Sequence, residues 1–334
     1  MPVKIICRQD TDCQYDEKEN VWMQIYRKKD GGWPMEKNAR KKKRIKLFLM
    51  LLPCLILVFC IYYVPLFGWI YSVTDYVPGK KFRDLNFIGL ASFKLIFQDG
   101  GNFFNALKNT LAYSALALLV TPLPMILAIM ISQLRNTKLQ RVIQTITSFP
   151  NFISWVLMYS TVYLILASSD SALNTLITGL GGQTYNVLGD SEHAYIVQTL
   201  LGIYKSVGYS AIIYLASISG ISQDYYEAAE LDGAGKLQRI LHITVPLLMP
   251  TFLILFLMQV GNLLNNGFEQ FYIFQTALTQ RKLEVIDTYT YRMGITLGNY
   301  SFSTAVSVMK SVVSVTLLFI SNGLARKIRG ESII

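Results

Sequence analysis

The sequence predicts an all-α protein that crosses a membrane six times. Hydrophobic residues make up 52% of the 334 positions and charged residues 16%, whereas an average soluble domain has ~45–50% and ~25%. The apolar residues are concentrated in long runs, and about 20 helical residues are enough to cross a ~30 Å hydrocarbon core. Both observations favour a bundle of transmembrane helices over a soluble domain.

The first predicted span covers Leu47–Tyr71, and the other five cover residues 109–132, 143–167, 195–218, 246–268 and 302–324. A cleaved signal peptide is not expected at the first span, because its apolar run is too long and no small-residue cleavage site follows it. The fourth span contains Lys205. A lysine at that depth is costly unless it faces a cavity or extends its ammonium group to the membrane interface.

Basic residues flank the spans unevenly, and this asymmetry predicts the orientation of the chain. Seven of them are clustered directly before the first span: Lys37, Arg40, Lys41, Lys42, Lys43, Arg44 and Lys46. Others follow the second span (Arg135, Lys138, Arg141) and the sixth (Arg326, Lys327, Arg329), whereas the loop after the third span carries acidic residues and no lysine or arginine. We therefore expect both termini in the cytoplasm, with a tail at 1–46, a six-span domain at 47–325 and a second tail at 326–334. The loop between the first two spans fits poorly, because it carries Lys80, Lys81, Arg83 and Lys94.

A basic run like that at residues 37–46 also occurs in proteins that bind nucleic acid. Here the run lies directly against the apolar segment that starts at Leu47, where anionic lipid headgroups attract it. We therefore expect membrane lipid, and no nucleic acid, as its partner.

The sequence lacks the usual signatures of an enzyme. No G-x-x-x-x-G-K-[ST] stretch is present to bind nucleotide phosphates, and the glycines at Gly179, Gly181 and Gly182 are followed by no lysine. The four cysteines form no C-x-x-C pair, and the two histidines lie far apart in the sequence. We expect a protein without catalytic residues and without a metal or cofactor of its own.

Residues 223–246, between the fourth and fifth spans, predict a short helix, a turn and a second helix. Tyr225–Leu231 contains good helix formers and no breaker. Gly233 permits a turn that a residue with a Cβ resists, and Lys236–Ile243 predicts a second, amphipathic helix. Pro246 suits the first turn of the span that follows.

This loop closely resembles the EAA loop of permease subunits of binding-protein-dependent ABC importers, whose pattern is E-A-A-x3-G-x9-I-x-L-P. The matching residues are Glu227, Ala228, Ala229, Gly233, Ile243 and Pro246, with Val245 in place of the usual leucine. In that family the loop forms the coupling helix that docks on the cytoplasmic ATPase, so the resemblance implies this role for these six residues. The alternative is an ordinary amphipathic loop with a turn glycine.

Further segments resemble the maltose-type carbohydrate permeases and their polysaccharide-type subfamily. They lie at residues 86–93, 109–110, 149–156, 267–270, 286–292 and 305–311, and the resemblance covers residues 45–330 approximately. It implies the type I ABC importer permease fold and a place in the bacterial cytoplasmic membrane. The implied partners are a second, homologous six-span permease, two cytoplasmic ATPases that bind ATP and Mg, and an extracellular solute-binding lipoprotein. The implied substrate is an oligosaccharide.

Aromatic and amide side chains on the third and fifth spans are our candidates for a sugar passage, because sugars stack their C–H faces on rings and pair their hydroxyls with amides. Trp155 and Tyr159 share a helical face, although such aromatics also form belts at the membrane interface. Gln259, Asn262 and Asn266 recur at helical spacing and predict a polar stripe on span five. Such a stripe faces a cavity or another helix, and interhelical hydrogen bonds are the alternative.

Three further candidates lie nearby in the predicted fold: Glu269 and Tyr272 at the outer end of span five, and Lys310 in span six. Lys310 is either a cation in a cavity or the partner of another side chain, and an acidic sugar would be one reason for its presence. The rival function is an ion-coupled secondary sugar transporter, which needs ionisable residues near the midplane. Lys205 and Lys310 are the strong candidates for that role, and no acidic residue lies mid-span to relay a proton.

Overall fold

The computed structural model describes residues 37–79, 81–99, 101–167 and 170–329, and side chains from residue 45 onward except at 82 and 324–329. The tail at 1–36, the side chains of most of the basic run, and residues 330–334 lie outside the described residues. Within the described part the regular structure is helical, apart from one isolated bridge between Thr74 and Phe87. The chain divides into two compact units, one ending at Phe67 and the other beginning at Gly68.

Six helical segments within the described residues are long and apolar enough to cross a membrane, as the sequence predicted. They are spans one to six: Ile45–Val73, Asn102–Ser132, Trp155–Gly179, Ala194–Ser219, Lys236–Gly261 and Tyr300–Gly323. The α-helices that build and connect them are α1 Lys37–Val58, α2 Ala91–Gln98, α3 Asn102–Leu119, α4 Pro122–Ser132, α5 Thr137–Ser148, α6 Trp155–Val162, α7 Ala172–Gly179, α8 Ala194–Ser219, α9 Gln223–Leu231, α10 Lys236–Arg239, α11 Val245–Gly261, α12 Phe268–Phe274, α13 Gln280–Leu283, α14 Ile286–Tyr291 and α15 Tyr300–Arg329.

The third span begins at Trp155 and not at residue 143, where the sequence led us to expect it. Helix α5 is followed by a single tight turn that contains Pro150. The backbone then becomes extended at Ile153 and Ser154, whose ψ angles are 130° and 154°. Ser154 caps the new helix, because its hydroxyl accepts a hydrogen bond from the backbone N–H of Leu157. Residues 149–154 therefore form a break between two helical segments.

The fifth span starts and ends earlier than predicted. Helix α10 continues through a wider turn at Ile240–Thr244 into α11, so the predicted second short helix is the beginning of the span itself. The helix ends at Gly261 and not at residue 268. Residues 262–267 leave the helical conformation, and Gly267 has a φ of +86° that favours glycine.

Spans two and four pack closely, because a membrane helix bundle depends on dispersion contacts and small residues rather than on expulsion of water. Ala128 and Ile129 of α4 meet Ala211 and Tyr214 of α8 in one buried cluster. Earlier in α8, Gly208 lies directly against the end of α5, where the hydroxyl of Ser148 donates to the carbonyl of Gly208 at 3.2 Å. This contact places the break at residues 149–154 beside span four.

A second buried cluster joins span two, α14 and span six. Phe103 and Ala106 pack against Ile286 and Tyr289, and the cluster continues to Phe302 of α15. The amide of Asn109, which is fully buried, donates to the carbonyls of Arg281 and Glu284 at 2.9 Å each. These contacts hold the segment that follows span five against the helices on either side of it.

Candidate functional site

The loop between spans four and five contains the short helix and the turn predicted for it, and the helix that follows the turn is the start of span five. Ser222 caps α9 by accepting a hydrogen bond from the N–H of Asp224. The turn after α9 depends on Gly233, whose φ is +78° and whose N–H donates to the carbonyl of Glu230 at 3.1 Å. The prediction that this glycine makes a turn is therefore confirmed.

Two side-chain contacts hold this loop to the start of span five. Arg239 forms an ion pair with Glu230 at 2.8 Å, and the hydroxyls of Tyr226 and Thr244 lie 3.0 Å apart. A shallow concavity of about 340 Å³ opens between the two helices. Of the six predicted coupling residues, Ala229, Gly233 and Ile243 line the concavity, whereas Glu227, Ala228 and Pro246 are exposed. The surface also presents Leu231, which is 90% exposed.

A large cavity of about 420 Å³ lies among spans two, three, four and five. Its lining combines aromatic rings, amides, hydroxyls and one ammonium group: Tyr113, Ala117, Val120, Thr121, Pro124, Asn151, Trp155, Gln198, Thr199, Gly202, Ile203, Lys205, Ser206, Val207, Ser210, Gln259, Asn265, Asn266, Gln270 and Phe271. Sites for small molecules commonly have this mixture of apolar walls and a few placed polar groups.

Three of the predicted passage residues, Trp155, Gln259 and Asn266, line this cavity. The predicted stripe on span five is wrong as a helical feature, because the helix ends at Gly261 before two of its three amides. Asn262 is exposed and its side chain donates to the carbonyl of Met258 at 3.1 Å. Asn266 reaches the cavity from the irregular segment and donates to the carbonyl of Thr110 at 2.9 Å.

Three other candidates lie away from the cavity lining. Tyr159 packs edge-on against Phe274, with ring centres 5.1 Å apart. Glu269 is exposed on α12. Tyr272 is 48% exposed and stacks on Phe268 with ring centres 4.7 Å apart.

Lys310 lies in a separate cavity of about 390 Å³ beside α14. Its ammonium group forms an ion pair with Asp287 and donates to the side-chain oxygen of Asn265 at 2.7 Å. Asn265 also lines the large cavity, so the two cavities share one wall. The sequence left two roles open for Lys310, and its position fits both: the side chain lines a cavity, and its ammonium group pairs with Asp287 from a segment that follows span five.

The sequence analysis named Lys205 only for the rival ion-coupled function and assigned no site role to Asn151, Gln198 or Gln270, although all four line the large cavity. Lys205 was detectable, because its depth in span four already required a cavity or an interface. The amides gave no separate signal, since their spacing matches no helical stripe. Gln198 and Gln270 also bond each other, with 3.0 Å between the amide nitrogen of Gln270 and the side-chain oxygen of Gln198.

Beyond the cavity, the loop before span four holds an exposed cluster of ionisable groups. Asp190 accepts hydrogen bonds from the hydroxyl of Tyr185 and from Nδ1 of His193, the latter at 2.6 Å. These bonds, with that from Tyr185 the stronger, hold the pKa of the Asp190 carboxyl far below its usual range. The bond to Asp190 also raises the pKa of His193 above its ordinary value. The loop backbone is tied down by Asn174, whose side chain accepts from the N–H of Tyr185 at 2.8 Å.

Within the described residues, no three His, Cys, Asp or Glu side chains come together as ligands for a metal ion. The lining of the large cavity offers hydrogen bonds, ring faces and one positive charge, and the loop between spans four and five presents an exposed surface.

Comparison with known proteins gives consistent matches. Residues 120–330 match the family described as binding-protein-dependent transport system inner membrane component. The Bacillus subtilis protein LplB is 36% identical over 296 residues, which cover 88% of this chain and 93% of LplB. The polygalacturonan/rhamnogalacturonan transport system permease protein YteP of the same organism is 35% identical over 305 residues, which cover 89% of this chain and 95% of YteP.

A solved structure shares the fold over its whole length. The crystal structure of a bacterial ABC transporter involved in the import of the acidic polysaccharide alginate matches with a TM-score of 0.79 and 31% sequence identity. The match covers 88% of this chain and 100% of that one. A second structure of a bacterial alginate ABC transporter, in complex with an alginate pentasaccharide-bound periplasmic protein, matches with the same TM-score and identity.

Proposed function

The chain belongs to the family of binding-protein-dependent transport system inner membrane components, and we propose that it is a permease subunit of an ATP-driven oligosaccharide importer. One observation carries the proposal for the substrate. The cavity among spans two to five places Trp155, Phe271 and Tyr113 beside amides and hydroxyls within the membrane region. Ring faces stack on the C–H faces of sugars, and amides pair with their hydroxyls.

The relatives support a carbohydrate substrate and leave its class open. Some carry names that refer to the transport of polygalacturonan and rhamnogalacturonan or of arabinooligosaccharides. Another is a trehalose/maltose transport system permease protein from Thermococcus litoralis, 27% identical over 297 residues. Charged and neutral sugars both occur among these substrates, so the choice between them depends on the residues of this chain.

In the proposed assembly, a second six-span permease completes the passage and two cytoplasmic ATPases bind below it. Mg-ATP is bound and hydrolysed on those partner chains, and a solute-binding lipoprotein delivers the sugar from outside. The exposed α9 and the concavity beside Gly233 are the docking surface for one ATPase. Both termini lie in the cytoplasm, consistent with the basic residues that flank spans one, two and six.

Movement passes from the docking surface to the cavity through contacts within this chain. The pairs Glu230–Arg239 and Tyr226–Thr244 connect α9 to the start of span five. Span five is one continuous helix to Gly261, two residues after the cavity residue Gln259. When the ATPases close, a force on α9 therefore tilts span five and opens or closes the cavity to one side of the membrane, which is alternating access.

The family relationship supports this function over an ion-coupled secondary transporter. Such a transporter needs ionisable groups near the midplane that exchange a coupling ion. The two mid-span lysines both have partners in the structure: Lys310 pairs with Asp287, and Lys205 donates to the backbone carbonyls of Asn151 and Ile153.

The proposal is tested by affinity purification of the tagged chain from membranes of its native host, followed by mass spectrometry. We expect a second permease and an ATPase to co-purify with the unaltered chain. The double variant Glu227→Ala/Gly233→Pro is expected to lose the ATPase and keep the second permease. Proline cannot adopt the φ of +78° at position 233 or donate the hydrogen bond made there.

Lys138→Ala, on the exposed surface of α5, serves as the control and is expected to retain both partners. If the unaltered chain purifies alone or as a homo-oligomer without an ATPase, the importer function is wrong. If the double variant retains the ATPase, the coupling role of α9 is wrong while the importer function stands.

A further inference from the structure

Lys205 lies near the middle of the membrane in the proposed importer. It comes eleven residues after Ala194 and fourteen before Ser219, the two ends of α8. At ~1.5 Å per residue, this places its Cα about 17 Å and about 21 Å from the two ends of the helix. Substrate sites of transporters lie at this depth, and Lys205 is part of the lining of the large cavity.

The ammonium group of Lys205 is held in place by the break between α5 and α6. It donates hydrogen bonds to the carbonyls of Asn151, at 3.2 Å, and Ile153. It also lies 5.1 Å from the centre of the Trp155 ring. An ammonium group has three N–H donors, so a third N–H is left for a ligand in the cavity.

These contacts orient the ammonium group but leave its charge without a counterion. Lys205 is the one charged residue among the described residues that line the cavity, and this lining contains no aspartate or glutamate. The ion pairs that the described side chains form do not include Lys205. Lys205 is half-buried, and a charged residue inside a membrane span commonly faces a cavity that serves as a pathway for a substrate or an ion.

The second mid-span lysine shows what a neutralised charge looks like in the same chain. Lys310 forms an ion pair with Asp287 of the same chain, and its ammonium group also contacts the side-chain oxygen of Asn265. The two lysines therefore differ in that Lys205 lacks a carboxylate partner from this chain. Lys205 lies at the cavity that is also lined by Trp155 and the amides.

We infer that Lys205 is a specificity-determining residue that binds the carboxylate of an acidic, uronate-type sugar in the passage. The inference rests on the proposed function and narrows its substrate class to carboxylate-bearing oligosaccharides. The third N–H of Lys205 donates to a carboxylate oxygen, while the backbone carbonyls keep the ammonium group in position before the sugar arrives. Charge-assisted bonds of this kind are stronger than bonds between neutral groups, and a preordered donor adds to their effect on affinity.

The test measures binding to the complete importer in lipid nanodiscs, without the solute-binding protein, so that the selectivity of that protein does not enter. The probes are a radiolabelled trisaccharide of a hexuronic acid and the same trisaccharide with its carboxyl groups reduced to primary alcohols. Equilibrium dialysis with each probe compares the unaltered chain with Lys205→Gln and Lys205→Arg. Lys94→Gln, which removes an exposed positive charge on α2, is the matched control.

We expect the unaltered importer to bind the acidic trisaccharide at least about tenfold more tightly than the reduced one. Lys205→Gln should abolish that preference while changing the affinity for the reduced sugar by less than about threefold. Lys205→Arg should retain the preference, because it keeps the charge, and Lys94→Gln should retain it as well.

Two results would overturn the inference and leave the proposed function standing. The unaltered importer could bind both sugars equally, or the preference could persist in Lys205→Gln. If the preference persists while both affinities fall by the same factor, Lys205 only supports the helix break. If Lys205→Gln does not assemble, Lys205→Met takes its place, and it is likewise expected to abolish the preference. An importer that binds neither sugar, and whose ATPase no sugar-loaded binding protein stimulates, would refute the proposed function itself.

Discussion

Replacing Gly208 with alanine should destabilise the protein, because Gly208 is where α8 meets the end of α5. A Cβ at this position would lie 1.9 Å from the carbonyl oxygen of Thr147 and 2.8 Å from the backbone nitrogen of Ser148. Ordinary contacts of a Cβ begin near 3.4 Å. The two helices would therefore have to separate by about 1.5 Å, and the obstacle is backbone that no side-chain rotation can remove.

The size of the effect follows from two opposing terms. Overpacking costs ~1–3 kcal/mol, and the upper end applies here because the atoms that the Cβ meets are backbone atoms of Thr147 and Ser148. Alanine in place of glycine within a helix returns about 1 kcal/mol. We expect a net loss of about 2 kcal/mol in the free energy of unfolding. At about 2–4 °C per kcal/mol for a chain of comparable size, the melting temperature should fall by about 4–8 °C.

Gly202 provides a matched control on the same helix, six residues earlier, because a Cβ there would have no neighbour within 4 Å. Gly202→Ala should raise the melting temperature slightly, since it gains helix propensity and meets no obstacle. Both variants and the unaltered chain are compared in one detergent by thermal unfolding followed with circular dichroism. Equal melting temperatures for Gly208→Ala and the unaltered chain would refute the argument that this contact is closely packed.

Three further predictions concern other parts of the chain. Gly233→Ala places a Cβ at a φ of +78°, which costs ~1–2 kcal/mol. In the reconstituted importer we therefore expect the sugar-loaded binding protein to stimulate ATP hydrolysis less than it does with the unaltered chain. Unchanged stimulation of ATP hydrolysis would contradict a coupling role for Gly233. Arg292→Met leaves the buried carboxylate of Glu284 without its partner at 2.6 Å. Chemical unfolding should show a loss of about 3 kcal/mol in the free energy of unfolding, largely restored when Glu284→Gln is added. Asp190→Asn should return the raised pKa of His193 to ~6.5. An NMR titration of the histidine side chains measures this pKa, and it is simple because the chain has two histidines. An unchanged pKa of His193 in the variant would contradict the prediction.

The pair Asp190–His193 predicts how the loop before span four responds to pH. Because the folded-state pKa of His193 is raised, its contribution to stability is present below the unfolded-state pKa of ~6.5 and is lost as the pH rises through the folded-state value. The lowered pKa of Asp190 acts in the opposite direction and keeps the carboxylate ionised well into acid. The protection factors of the loop amides, in which the intrinsic pH dependence of hydrogen exchange is divided out, should therefore be highest in mildly acidic solution, and Asp190→Asn should remove that dependence.

The local features of the chain could be predicted from the sequence alone. The number of spans follows from runs of apolar residues that are long enough to cross a bilayer, and this information is local to each run. The turn at Gly233 and the helix at Gln223–Leu231 likewise depend on neighbouring residues, and the structure contains both. The resemblance of that loop to a known family then led to the family to which the chain belongs.

The composition of the cavity could not be predicted in this way, because it depends on where helices break and which faces meet. The polar stripe assumed a helix through residue 266, but the chain leaves the helix after Gly261. Only Gln259 and Asn266 of that stripe therefore reach the cavity, the latter from irregular backbone. Apolar runs do not show such breaks, since helical and non-helical backbone can have the same hydropathy.

The difference between the two mid-span lysines was also decided by the tertiary structure. In the sequence, Lys205 and Lys310 are alike: each is a costly cation within an apolar run. The fold brings Asp287, from a segment 23 residues away, to Lys310, whereas Lys205 receives backbone carbonyls and an open cavity. A charge within a span shows that a partner is required, and only the packing of distant segments shows whether the chain itself supplies one.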